Sequence, residues 1–203
     1  MPIFPLPEMV LFPGVTASLH IFEPRYRLML QDALASGSGM IVLAHLHPDG
    51  GGNEMQPQVY TVATLGKVVD HRALPDGRSN ISLQGMHRVE LHELPFRAPY
   101  RKADLVVLHD QGRPITEAEE TALRSGVLAF SRELKKRAAR FTFSLPPTMS
   151  GARLIDECAS HLVLDPRARQ EMLEELDVSK RLARTLDVLA SQVASLQVEG
   201  VLN

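Results

Sequence analysis

The chain has 203 residues, of which 44% are hydrophobic and 23% are charged, and its formal net charge is -2. This balance is typical of a globular protein with one large or two small domains, and it excludes a strong overall attraction to nucleic acid or to an anionic membrane. A single cysteine, Cys158, cannot form an internal disulfide, and no apolar run approaches the roughly 20 residues of a membrane span, so we expect a cytoplasmic protein.

The first half of the chain alternates short apolar segments with Pro and Gly, which is typical of strands joined by turns. Strands are predicted at 3–6, 15–21, 40–46, 59–69, 81–94 and 103–108. Glu23 and Pro24 predict a helix start, because Pro suits the first helical position and an acid suits the positive end of the helix dipole. Gly66 is a candidate β-bulge. Six strands and one helix favour a small closed or partly closed β-barrel.

From about residue 113 the sequence predicts helices. Thr116 and Glu119 form a capping box at the start of the first of them, and further helices are predicted to begin at Ser150 and after Asp165. Ser179 is predicted to cap the last helix. That helix carries an apolar seam, which we expect to pack inside the bundle: Leu182, Leu186, Leu189, Val193 and Leu196. The predicted class is therefore α+β, with a β-barrel at 1–112 and an all-helical bundle at 113–203.

Catalytic motifs are missing from the sequence. No Gly-x-x-x-x-Gly-Lys-Ser/Thr phosphate loop occurs, and no serine has the local setting of a nucleophile paired with a lysine. Cys158 lies on an apolar helical stripe, which favours a buried structural thiol. We therefore predict no enzymatic activity and no cofactor.

Histidines provide the one arrangement that resembles a metal site. His45 and His47 point to the same side of a strand, and His71, His87 and His92 lie in or near neighbouring strands. No carboxylate or cysteine joins them at ligand spacing. We therefore interpret them as polar positions at strand ends and predict no metal.

Three charged residues lie in segments that are otherwise apolar. Glu23 and Arg25 flank Pro24, and Arg88 lies within a strand that should be half buried. A charge in such a place needs a partner. We predict a structural ion pair in which Glu23 contacts Arg25 or Arg88 and ties the helix to the barrel.

Several motifs resemble those of the amino-terminal, substrate-binding domain of Lon-type ATP-dependent proteases. They are Phe4-Pro5-Leu6, Val10-Leu11-Phe12-Pro13-Gly14, Phe22-Glu23-Pro24-Arg25-Tyr26, Leu65-Gly66, Gly85-x-x-Arg88, Pro99-Tyr100 and Leu164-Asp165-Pro166. The resemblance implies a PUA-like β-barrel followed by a helical bundle. It also implies a polypeptide-binding or adaptor module, which we expect to lack the ATPase and the Ser–Lys peptidase domain of a Lon protease.

Binding residues are expected where an apolar or aromatic side chain lies near a loop. Phe12, Met55, Phe96 and Tyr100 meet this criterion. Each could instead fill the core, and for Phe12 we favour that alternative. The expected partners are unfolded or partner polypeptides, bound by a monomer or a weak homodimer.

The sequence is also compatible with three other functions. PUA-like barrels often bind RNA, but that activity needs a basic, partly aromatic surface, and the chain has no Trp and three Tyr. A barrel pocket that senses a small molecule is another alternative. A small hydrolase with a dispersed site is a further one.

Overall fold

A computed structural model describes residues 1–53, 56–138 and 140–201. The chain divides into two compact units, of which the first covers Met1–His109 and the second begins at Asp110. The division lies slightly before the predicted boundary after residue 112. The α+β class is confirmed, since strands form the first unit and helices the second.

The first unit contains eight described strands and one helix. They are β1 (Ile3–Leu6), β2 (Thr16–Ile21), α1 (Pro24–Ala35), β3 (Met40–His45), β4 (Gly52–Asn53), β5 (Gln56–Pro57), β6 (Val62–Ala73), β7 (Ser79–Glu93) and β8 (Ala103–Leu108). Helix α1 begins with Pro24, as predicted, and buries one face made of Tyr26, Met29, Leu30 and Ala33. Gly37 follows its last turn with a φ of 74°, a value that favours glycine.

Six strands form one mixed sheet in the order β1-β3-β6-β7-β2, with β8 also paired to β7. Only β1 and β3 are parallel among these pairs. The 15-residue β7 is the centre of the sheet: β2 pairs with its first half, β8 pairs with its second half, and β6 runs along both.

The sheet curves back on itself near the amino terminus. The Ile3 amide donates to the Arg101 carbonyl over 3.0 Å, and the Ala103 amide donates to the Met1 carbonyl over 2.9 Å. These bonds join the start of β1 to the start of β8. The result is the partly closed barrel that the sequence predicts, with a core formed by Ile3, Val42, Ala44, Val59, Ala63, Leu65, Val89, Leu91 and Ala103.

Register shifts bend the long β6–β7 pair. One shift falls between Leu65 and Gly66, which confirms the predicted bulge, and a second falls between Val68 and Asp70. At the first shift Gly66 pairs with Gly85. A Cβ on Gly85 would lie 2.2 Å from the Phe12 carbonyl oxygen, so only glycine allows this close backbone approach.

The second unit contains four described helices: α2 (Glu117–Arg137), α3 (Gly151–Leu162), α4 (Pro166–Glu174) and α5 (Val178–Val201). The capping box of Thr116 and Glu119 is present, as predicted. Hydrogen bonds from Arg113 and from Thr116 lower the pKa of Glu119 to about 2. The prediction that Ser179 caps α5 is wrong, because Oδ1 of Asp177 accepts the amides of Ser179 and Lys180.

The apolar seam of α5 packs inside the second unit, as expected. Leu182 and Leu189 are buried, while Leu186, Val193 and Leu196 are partly buried against the same core. Arg181, on the same helix, is fully buried, and its Nε lies 3.1 Å from Oδ1 of Asp156. Its Nη2 lies 2.8 Å from Oδ1 of Asp110.

Candidate functional site

A cleft of about 530 Å³ lies on the first unit, beside the segment that joins β7 to β8. We call it the Tyr100 cleft, and it is lined by Asp32, Leu94, Pro95, Arg97, Ala98, Pro99, Tyr100 and Lys102. One wall comes from this segment, and Asp32 comes from the last turns of helix α1. The cleft therefore lies at a loop on a rigid scaffold, the usual place for a binding site.

Hydrogen bonds at its base hold the segment in place. The Leu94 amide donates to the Lys102 carbonyl over 2.9 Å, so the two ends of the segment are paired. Arg101 is buried, and its guanidinium donates two hydrogen bonds, of 2.9 and 2.5 Å, to the carboxylate of Glu93. It also donates to the Pro57 carbonyl over 2.5 Å. These contacts restrain the wall before any ligand arrives.

Tyr100 forms the floor of the cleft. Its ring is buried, its hydroxyl donates to Oδ2 of Asp32 over 2.5 Å, and Nζ of Lys102 lies 5.2 Å from the ring centroid. Burial, followed by the Asp32 hydrogen bond, raises the pKa of Tyr100 to about 12. The phenol is therefore protonated at neutral pH and acts as a fixed hydrogen-bond donor.

Apolar groups dominate the walls, and charges lie at the rim. The Leu94 side chain is 43% exposed, and Pro95 and Pro99 present further apolar surface. Arg97 and Lys102 supply two cations. Among the described residues that line the cleft there is no serine, cysteine or histidine. The arrangement is suited to binding apolar groups beside polar ones.

A second depression of about 240 Å³ adjoins the Tyr100 cleft. The two share Asp32, Tyr100 and Lys102, and the second is also lined by Met1 and Met40. The hydrogen-bonded pair of Tyr100 and Asp32 thus lies where the depressions meet. A ligand that extends beyond one cavity therefore finds apolar surface on both sides of this pair.

A family model described as the ATP-dependent protease La (LON) substrate-binding domain matches residues 1–191. The chain belongs to this family. The Lon protease of Azorhizobium caulinodans is 28% identical over 201 residues, which cover 98% of this chain and 23% of that protein. The Lon protease of Syntrophomonas wolfei is 27% identical over 207 residues, which cover 100% of this chain and 25% of that protein. The chain thus spans about a quarter of the length of these Lon proteases.

Solved structures support the Lon-type fold. A Lon N-terminal domain protein from Xanthomonas campestris has a TM-score of 0.67 at 19% identity and covers 92% of this chain and 96% of its own. The N-terminal domain of the Mycobacterium avium complex Lon protease has a TM-score of 0.68 at 14% sequence identity. The match covers 93% of this chain and 97% of that domain's chain. These likenesses establish the fold that carries the Tyr100 cleft.

The predicted binding residues of this Lon-type domain have different locations. Tyr100 lines the cleft, whereas Phe96 is half-buried in the same segment but is not among the lining residues. Phe12 is fully buried beneath the Arg88 guanidinium, whose carbon lies 5.9 Å from the ring centroid. Because Phe12 offers no surface, it is a core residue and is removed from the proposed site. Met55 lies outside the described residues.

The predicted ion pair forms between Glu23 and Arg25, which lie two positions apart in the sequence. Nη2 of Arg25 lies 2.9 Å from Oε2 of Glu23, and both side chains are partly exposed. The Arg25 guanidinium also lies 4.5 Å from the Tyr26 ring centroid. Arg88 is buried, with Phe12 below it. The contact with Arg25 therefore braces the start of α1, a smaller role than tying the helix to the barrel.

Sequence reasoning missed Asp32, Leu94 and Lys102. Asp32 occupies an exposed position of α1, where an acid needs no special explanation, and its partner Tyr100 is distant in sequence. The two prolines at 95 and 99 were the available signal. A Pro-rich segment between two paired strands predicts an irregular wall that a sheet cannot cover.

His45 and His47, the histidine pair of the sequence analysis, pack against an aromatic ring. His45 and His47 point to the same side and both pack on Tyr60, with ring centroids 5.2 and 4.8 Å away. Within the described ranges, no group of three or more His, Cys, Asp or Glu side chains is placed to hold a metal ion.

No helix in the same ranges combines the length and the apolar character that crossing a membrane requires.

Proposed function

We propose that this Lon-type domain is a non-catalytic module that binds segments of other polypeptides in the Tyr100 cleft. The observation that carries the proposal is an exposed apolar wall, Leu94 to Pro99, held over a rigid floor by the bond between Tyr100 and Asp32. Membership of a substrate-binding family supports the same role.

The chemistry of the cleft fits an unfolded polypeptide better than a folded surface. A volume of about 530 Å³ accommodates one or two large apolar side chains. Leu94 and Pro99 provide their contact surface, and Arg97 and Lys102 offer donors to backbone carbonyls of the bound segment. Recognition of this kind is tolerant of sequence, because few polar groups are fixed in position.

Two further observations support a binding role without chemistry. The phenol of Tyr100 is protonated and already bonded, so it is a poor nucleophile or base. Cys158 is fully buried in the second unit. Its lone thiol supports action in a reducing cytoplasm, and the internal packing of the α5 seam supports a monomer or a weak homodimer.

The test is binding of a fluorescein-labelled, unfolded casein, measured by fluorescence anisotropy. Leu94→Asp places a charge on the apolar wall and is expected to weaken binding by about tenfold or more. Val69→Asp is the matched control, because Val69 is 52% exposed on the same unit but lies outside the cleft. Equal binding by the two variants contradicts the proposed site, and hydrolysis of the casein contradicts the non-catalytic role.

A further inference from the structure

A groove of about 430 Å³ lies on the second unit, between helix α2 and the segment 141–149 that leads to α3. We call it the Ser131 groove. Val127, Leu128 and Ser131 face it from α2 at helical spacing, while Phe143 and Leu145 face it from the segment at a spacing of two. None of these residues belongs to the Tyr100 cleft.

The floor of the groove is apolar and open. Leu128 is 59% exposed, although it lies beside the buried Val127. Phe143 and Leu145 are half-buried and complete the floor. A large apolar side chain seated here would cover Leu128, and the volume suits one or two such groups.

Cations alone supply the charge at the rim. Arg124 donates to the carbonyl of Met149 and so holds the segment against α2. Arg132 and Lys135 are exposed, and neither forms an ion pair with any residue in the described part of the chain. Among the described residues that line the groove there is no carboxylate. The two cations are therefore available to an anionic partner.

A buried hydroxyl is the second observation that points to a ligand. Ser131 is only 9% exposed, and its Oγ has no hydrogen-bond partner among the described residues. A buried polar group without a partner is costly, so native proteins usually satisfy it. Because Ser131 is one of the residues that line the groove, a segment bound there would lie beside this residue.

We propose that the Ser131 groove binds an acidic segment of another polypeptide, in which a Leu or Phe side chain is flanked by Asp or Glu. The apolar side chain covers Leu128, and the flanking carboxylates pair with Arg132 and Lys135. An oxygen of the same segment accepts from Ser131. This site is separate from the Tyr100 cleft and selects a narrower class of sequence.

The test uses a fluorescein-labelled peptide that contains Glu-Glu-Leu-Phe-Glu-Glu, titrated with the full chain and followed by anisotropy. Reversing both rim charges, Arg132→Glu with Lys135→Glu, is expected to weaken binding by about tenfold or more. Lys67→Glu with Lys180→Glu is the matched control, because both residues are exposed cations outside the groove and their reversal changes the net charge by the same amount. Circular dichroism checks that each variant is folded.

Matched peptides separate charge from apolar contact. Replacing each Glu by Gln, or Leu-Phe by Ala-Ala, is expected to weaken binding by a similar factor, about tenfold. Affinity that is unchanged by the double charge reversal overturns the proposal. So does a single-stranded RNA that binds more tightly than the peptide and is lost in the same variant. Leu94→Asp leaves this binding intact if the two sites are separate, so failure of one proposal is distinguishable from failure of the other.

Discussion

The hydroxyl of Tyr100 donates a hydrogen bond of 2.5 Å to Oδ2 of Asp32 and thereby joins the segment after β7 to helix α1. Removing it with Tyr100→Phe is expected to lower the free energy of unfolding by about 1 kcal/mol, the usual net contribution of one hydrogen bond. Urea denaturation measures the loss. In an Asp32→Asn background the same substitution should cost less, and fully additive losses would contradict a direct bond.

Alkaline pH should remove the contribution of this hydroxyl. Because the folded-state pKa of Tyr100 is raised from 10.0 to about 12, folding favours the protonated phenol. Its stabilisation is complete below pH 10 and is lost as pH rises from 10 toward 12. The difference in melting temperature between the wild type and Tyr100→Phe should therefore shrink over this interval, and a constant difference would count against the raised pKa.

The capping box of α2 was predictable because it depends on two residues that lie three positions apart. Thr116 and Glu119 satisfy each other within one helical turn, so the sequence alone specifies the contact. The cap of α5 was misassigned because Asp177 and Ser179 are both good caps two residues apart, and only the backbone geometry shows which of them accepts the amides.

The candidate site was less predictable for a physical reason. The bond between Tyr100 and Asp32 spans 68 positions and depends on how α1 is placed against the sheet. Sequence patterns report local periodicity, and they do not report distances between distant elements. Phe12 shows the reverse case, since the core position that we favoured from its apolar surroundings is the one it occupies, beneath Arg88 and beside Gly85.

Arg181 should be important for the stability of the second unit. Its side chain is fully buried, and its Nε contacts the buried carboxylate of Asp156. Arg181→Met leaves that carboxylate without its guanidinium and is expected to cost about 3 kcal/mol or more. Arg184→Met is the control: Arg184 pairs with Glu171 at the surface, so its loss should cost less than about 1 kcal/mol. Equal losses would contradict this account.

Two glycines should respond to alanine in opposite directions. A Cβ on Gly85 meets the Phe12 carbonyl oxygen at 2.2 Å, so Gly85→Ala is expected to destabilise by about 2 kcal/mol. A Cβ on Gly126, inside α2, meets only Cδ2 of Leu186 at 3.5 Å. Gly126→Ala is therefore expected to stabilise by about 0.5 to 1 kcal/mol. Chemical denaturation measures both, and the same sign for both would be a clear contradiction.

The thiol of Cys158 should be unreactive in the folded protein. It is fully buried on α3, and burial raises its pKa to about 12, so little thiolate forms at neutral pH. Labelling with a maleimide, followed by mass spectrometry, should show modification only when urea unfolds the second unit. Rapid labelling without denaturant would show that the helices open readily around α3.

The length of β7 determines how the barrel can loosen. Its two halves carry different neighbours, β2 at the beginning and β8 at the end, while β6 supports both halves. Detachment of β8 breaks its pairing with β7 and the two backbone hydrogen bonds that join it to β1, while the pairs β1–β3, β3–β6, β6–β7 and β2–β7 stay in place. Since the wall of the Tyr100 cleft connects β7 to β8, loss of these contacts would also release one end of that wall.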